Sequence, residues 1–169
     1  MTNYKESVKM MIDTNIYDKL FEDDISRDRL IEQIKTGNIK LYSNKIIEGE
    51  LEAIDLNRYP EKTDKKEWLL KFLNEFTENV ATEVFAYDVV GSGYDESKWI
   101  SSENEKLYSN IKPDGDPKND IKDRIIALTA NADVDILVTN DHIKQSVEEV
   151  ISIKVLDYKN FIDYINNIR

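Results

Sequence analysis

The chain has no cysteine and a single histidine, His142. Disulfides, thiolate zinc sites and cysteine nucleophiles are excluded together, and imidazole-based metal sites or catalytic triads have almost nothing to draw on. Glycine is scarce, and none follows the first apolar run, where Asp13-Thr14-Asn15 stands instead. The glycine-rich turn of a dinucleotide-binding domain is therefore missing. Long hydrophobic runs are missing too: 8–12 and 136–138 are typical, and no basic start leads into an apolar stretch of signal-peptide length. These absences predict a cytoplasmic protein with no membrane partner.

What remains is carboxylate. The formal net charge is −11, which repels a polyanion at long range. A nucleic-acid partner would need a basic patch, or a carboxylate cluster loaded with divalent ions that inverts the field where a phosphate must sit. With 169 residues and 40% hydrophobic content, the chain suits one compact domain spanning 1–169.

Short apolar or β-branched runs predict strands over 8–12, 39–43, 82–89, 135–139 and 151–156. Helical spacing predicts helices over 25–35, 45–56, 65–79, 103–111, 118–131 and 158–168. The alternation implies βαβ units and a parallel sheet covered on both faces. Gly91 to Tyr94 and the Pro113, Gly115, Pro117 cluster mark an elaborated connection around 91–118. There is no internal repeat.

In such a sheet, ligands bind outside the carboxyl ends of the strands. The run 8–12 delivers Asp13-Thr14-Asn15 and the run 136–138 delivers Thr139-Asn140-Asp141, so Asp13 and Asp141 are expected at one sheet edge. The plainer reading is that each caps the helix that follows. On a wheel of about 100° per residue, Glu50 falls among Ile46, Ile47, Leu51, Ala53 and Ile54, while Glu48, Glu52 and Asp55 face away. A carboxylate aimed at an apolar face must be neutralised, hydrogen-bonded or paired with a cation, and a lysine or arginine would serve. Asp123 heads the small apolar stripe Ile126, Ala127, Ala130; its plainer role is a first-turn acid facing the helix dipole, and Asp120 is its competitor one turn earlier. Together these oxygens suggest a hard-cation site for Mg2+ or Mn2+; the twelve-residue loop of an EF-hand is absent.

With these motifs the chain resembles the PIN-domain nucleases, a family whose prokaryotic members include toxin ribonucleases. The family's opening strand and acid resemble Met10-Met11-Ile12-Asp13-Thr14-Asn15, and its second acid resembles Ile47-Glu48-Gly49-Glu50-Leu51. The third resembles Asp123-Arg124-Ile125-Ile126-Ala127, and the fourth Leu137-Val138-Thr139-Asn140-Asp141. The resemblance implies a three-layer α/β/α sandwich around a five-stranded, mainly parallel sheet. It also implies Mg2+- or Mn2+-dependent hydrolysis of phosphodiester bonds, in RNA more often than DNA. Asp13, Glu50, Asp123 and Asp141 would be the metal ligands, and Asn15, Thr139 and Asp120 accessory residues. An antitoxin-like inhibitor and a homodimeric assembly are the partners it suggests. This chain carries extra residues around 58–66 and 91–118.

A non-catalytic binding module on the same fold is the competing expectation. Lys62, Lys65 and Lys66 near Arg58, and Lys118, Lys122 and Arg124 around Asp123, read more simply as solvated helix faces than as substrate contacts. Tyr94 and Trp99 read as anchors of the insertion.

Overall fold

The computed structural model describes residues 6–82, 101–112, 117–140 and 144–168, without the side chains of 117–120. Five parallel strands form one sheet in the order β3-β2-β1-β4-β5. They are β1 (Val8–Ile12), β2 (Ile39–Ser43), β3 (Thr77–Asn79), β4 (Ile136–Val138) and β5 (Lys154–Leu156). The helices are α1 (Thr14–Glu22), α2 (Asp24–Lys35), α3 (Lys45–Glu52), α4 (Thr63–Phe76), α5 (Ser102–Asn110), α6 (Pro117–Asp133), α7 (Lys144–Val150) and α8 (Tyr158–Asn167). Right-handed crossovers put α1 to α4 on one face, on the way outward from β1 to β3, and α5 and α6 on the other, on the return from β3 to β4, followed there by α7 between β4 and β5. The result is the α/β architecture expected, with every strand pair parallel. No helix among the described residues is long and apolar enough to cross a membrane.

β1 lies at the centre, and Met10, Met11 and Ile12 have no exposed surface. A strand covered by helices on both faces has no use for polar alternation, which is why its second half, Met10 to Ile12, reads as a continuous apolar run after the exposed Lys9. α1 turns Ile16, Tyr17 and Leu20 onto the sheet. Its aromatic edge meets α4 in a chain of rings: Tyr17 to Phe72 at 6.0 Å, Phe72 to Trp68 at 5.1 Å, and Trp68 to Phe21 at 5.6 Å. Burying each such side chain is worth about 1.5–3 kcal/mol.

Local chemistry sets the ends of the elements. α2 stops in a Schellman turn: Gly37 takes φ 76°, its N–H reaches Ile34 O, and the Asn38 N–H reaches Gln33 O. Asn44 starts α3 by accepting from the Ile46 and Ile47 amides at 3.1 and 3.0 Å. At the other end of α3, Lys66 Nζ on α4 donates to the carbonyls of Glu52 and Ile54 at 2.5 and 3.1 Å.

Several expectations need adjustment. α1 was not anticipated, and neither was α7. The third strand is Thr77–Asn79, inside the segment expected to end a helix, so α4 stops at Phe76. β3 is an edge strand with no buried residue, and its polar sequence Thr77-Glu78-Asn79 carries no apolar signal. Most of the predicted strand 82–89, and much of the connection around 91–118, lies outside the described residues. α3 ends at Glu52, short of residue 56.

Candidate functional site

Running outward from β1, the chain lays down β2 and then β3 on one side, and returns to lay down β4 and β5 on the other. The reversal falls between β1 and β4, where the helices following the two strands diverge and leave a crevice at the carboxyl ends. Asp13 is the first residue past β1 at this point. Its N–H bonds to Val138 O at 3.0 Å, so the ends of β1 and β4 are locked together beneath it.

The Asp13 side chain is only 4% exposed and richly satisfied. Oδ1 accepts from the Thr14 amide at 2.7 Å, capping α1. Oδ2 accepts from Asn15 Nδ2 at 3.0 Å and from Thr139 Oγ1 at 2.8 Å. Asn15 is itself held, since its Oδ1 accepts from the Asn140 amide at 3.2 Å. Asn140 continues the chain by accepting from the Tyr158 amide at 2.8 Å. These three donors among the described residues hold both oxygens, so that they cannot rotate away. Two of the three accessory residues from the sequence, Asn15 and Thr139, thus act on Asp13 directly.

An open cleft of about 410 Å³ lies over this junction, lined by Asp13, Thr14, Asn15, Asp18, Glu50, Ala53, Lys122 and Asp123. Three of the four acids singled out in the sequence therefore share one cavity. Asp141 lies outside the described residues, although Thr139 and Asn140 lead towards it from the end of β4. Asp120 lies on α6, with its side chain outside the described residues.

Glu50 differs from expectation. It is half-buried, with 21% of its side chain exposed, because it sits in the last turn of α3, where the apolar face opens onto the cleft rather than the core. Its Oε2 accepts from Thr14 Oγ1 at 2.5 Å and its Oε1 lies 3.3 Å from Lys122 Nζ. The lysine partner considered as the plainer reading is thus present. Lys122 is correspondingly no solvated-face residue but part of the cleft wall. Thr14 and Asp18 were also missed. Thr14 has the clearest signal, being a hydroxyl next to a strand-end aspartate; Asp18, one turn after it on α1, is paired with Lys65 at 2.8 Å.

Beneath the cleft, Tyr17 is fully buried and its hydroxyl has no hydrogen-bond partner among the described residues. Burial, reinforced by the charge of Asp13, pushes its pKa far above the ordinary phenol value, so it remains a neutral dipole.

Among the described residues no group of three or more histidines, aspartates and glutamates is drawn together as a ready metal cage. The donor chemistry nevertheless suits a hard divalent cation, for the oxygens are carboxylate and hydroxyl, and a cation already stands beside Glu50 in the form of the Lys122 ammonium.

Neither a family model nor a curated protein matches the chain. Among solved structures it is similar to VapBC2 from Rickettsia felis, determined bound to a DNA fragment from their promoter. The TM-score is 0.52 and the identity 15%, covering 89% of this chain and 98% of that one. At that identity the likeness concerns the fold, and the fold is PIN-like.

Proposed function

We propose that this chain is a single PIN-like domain acting as a metal-dependent nuclease, and that it hydrolyses phosphodiester bonds, with single-stranded RNA the favoured substrate. The observation that carries the reading is the convergence of Asp13, Glu50 and Asp123 on one open cleft at the switch point of a parallel sheet. Asp13, Glu50, Asp123 and Asp141 would hold Mg2+ or Mn2+. When bound, such an ion polarises the scissile phosphate, lowers the pKa of water and stabilises the leaving oxygen.

The chain's own residues prepare that site. Thr14, Asn15 and Thr139 fix both Asp13 oxygens, so the central carboxylate is oriented before anything binds. Thr14 also holds Glu50, and so couples the end of β1 to the end of α3. The overall charge of −11 makes divalent cation the means of admitting a polyanion, so binding and cleavage should both be metal-dependent.

We extend the reading to a cytoplasmic toxin of a toxin–antitoxin pair that assembles as a homodimer; the likeness in fold to VapBC2 supports an antitoxin-like protein as its inhibitor. A second reading, a binding module without catalysis, draws on the Lys122–Glu50 pair, which neutralises a candidate ligand. One experiment separates the two. Wild type and Asp13→Asn are incubated with mixed single-stranded RNA and, in parallel, single-stranded DNA, with Mn2+ or with chelator. Metal-dependent cleavage by wild type alone is expected, and equal residual cleavage by the variant would sink the nuclease reading.

A further inference from the structure

We infer that Lys122 is a resident counter-ion of the cleft, occupying Glu50 in the metal-free protein and competing with the divalent cation for it. This rests on the metal-binding reading above and concerns how that site is kept folded and selective before loading.

Several observations converge on it. Lys122 is the only cation among the described residues lining the cleft, and it stands against Asp13, Asp18, Glu50 and Asp123. The other lysine beside these acids, Lys65, is taken up by Asp18 at 2.8 Å, and Lys66 by the carbonyls at the end of α3. Carboxylates gathered without a cation repel one another, and here the repulsion falls on two helices, α3 and α6, whose contact closes the cleft. Lys122 bridges that contact, reaching from α6 to Glu50 Oε1 at 3.3 Å, while Thr14 holds Oε2 from the opposite side. The ammonium has a long flexible stem and is 28% exposed, so it can withdraw to solvent without leaving an unpaired buried charge.

A divalent ion reaching Glu50 must displace this ammonium, and afterwards still feels it as a like charge. Both effects weaken metal affinity in the same direction. A half-exposed pair of this kind is worth up to about 1 kcal/mol, which is about fivefold in affinity. The displaced lysine stays at the cleft mouth, where its charge faces an incoming phosphate.

The test is Mn2+ binding measured by titration calorimetry on wild type, Lys122→Met and Lys122→Arg, without RNA. Lys122→Met keeps the length of the stem and removes the charge; it is expected to bind Mn2+ about fivefold more tightly, and Lys122→Arg to stay close to wild type. Thermal unfolding without metal checks that all three are folded and should show the Met variant modestly less stable. Affinity unchanged or weaker in the Met variant overturns the counter-ion inference alone. No Mn2+ uptake by any of the three proteins overturns it together with the metal-binding reading.

Discussion

α1 has an aspartate at each end, and the two do the same local job in very different places. Asp13 opens the helix by accepting from the Thr14 amide, at the sheet edge and 4% exposed. Asp23, at the far end, opens α2 by accepting from the Ser26 amide at 3.1 Å, and its Oδ2 also accepts from the Tyr158 hydroxyl on α8 at 2.9 Å. Each is a capping carboxylate with a hydroxyl partner. Only Asp13 also borders a cleft containing three further acids, and only it lies where a parallel sheet leaves room for a ligand. Capping chemistry and site chemistry are thus not alternatives: the cap holds the carboxylate still, and topology decides whether anything can reach it.

The comparison breaks most sharply in activity. Asp13→Asn should lower Mn2+-dependent cleavage of RNA by at least about 10²-fold, with little loss of fold because asparagine caps as well as aspartate. Asp23→Asn should leave cleavage rates unchanged in the same assay. A comparable drop in both variants would mean that cleavage follows helix integrity and not the cleft.

Stability effects come next. Thr139→Val removes a donor from a buried carboxylate and should cost about 1.5–3 kcal/mol in urea unfolding, more than any change around Asp23. Asp23→Ala should cost about 1 kcal/mol at neutral pH. The Ser26 amide holds the Asp23 carboxyl below its ordinary range. A depressed pKa contributes stability above the unfolded value of 3.8 that is lost as pH falls, so the Ala deficit should shrink on acidification.

The smallest effect is expected from Tyr158→Phe, about 0.5 kcal/mol, and its pH dependence runs the other way. Burial, followed by the bond to Asp23, pushes the Tyr158 phenol up to about 12 from 10.0. The stabilisation is complete below pH 10 and lost as pH rises towards 12, so wild type and variant should converge in alkaline unfolding curves. Curves that stay parallel would show that the hydroxyl contributes nothing through Asp23.

Much of this was legible in the residues. The central strand announced itself as an apolar run broken only by Lys9, and Asp13 followed from where that run ended. Asn15 and Thr139 were recognisable as donors near it, because short polar side chains after a strand have few other uses. α1 escaped because its nine residues bury only three, too brief a pattern beside a strand end. β3 escaped because a polar edge strand is specified by its neighbour β2 rather than by its own sequence. Glu50 was placed on the correct face of α3, but a helical wheel cannot tell a face that meets the core from one that, a turn later, meets a cleft. The Lys122 pairing depends on α3 and α6 meeting across 72 residues of chain, which no local pattern encodes.

The bond from Lys66 to the last carbonyls of α3 has a consequence for protein engineering. The Glu52 carbonyl, at the last residue of α3, has no donor within the helix, and the Lys66 side chain of α4 supplies one that the Ile54 carbonyl just beyond the helix shares. The end of α3, and Glu50 with it, is therefore fastened across the connection as well as along it, where the Ala53 amide reaches Gly49 O. A change of length between Asp55 and Pro60 gives up the turn that Asp55 closes with the Asn57 and Arg58 amides, but is expected to leave α3 held so long as Lys66 remains one side chain's reach from the helix it closes.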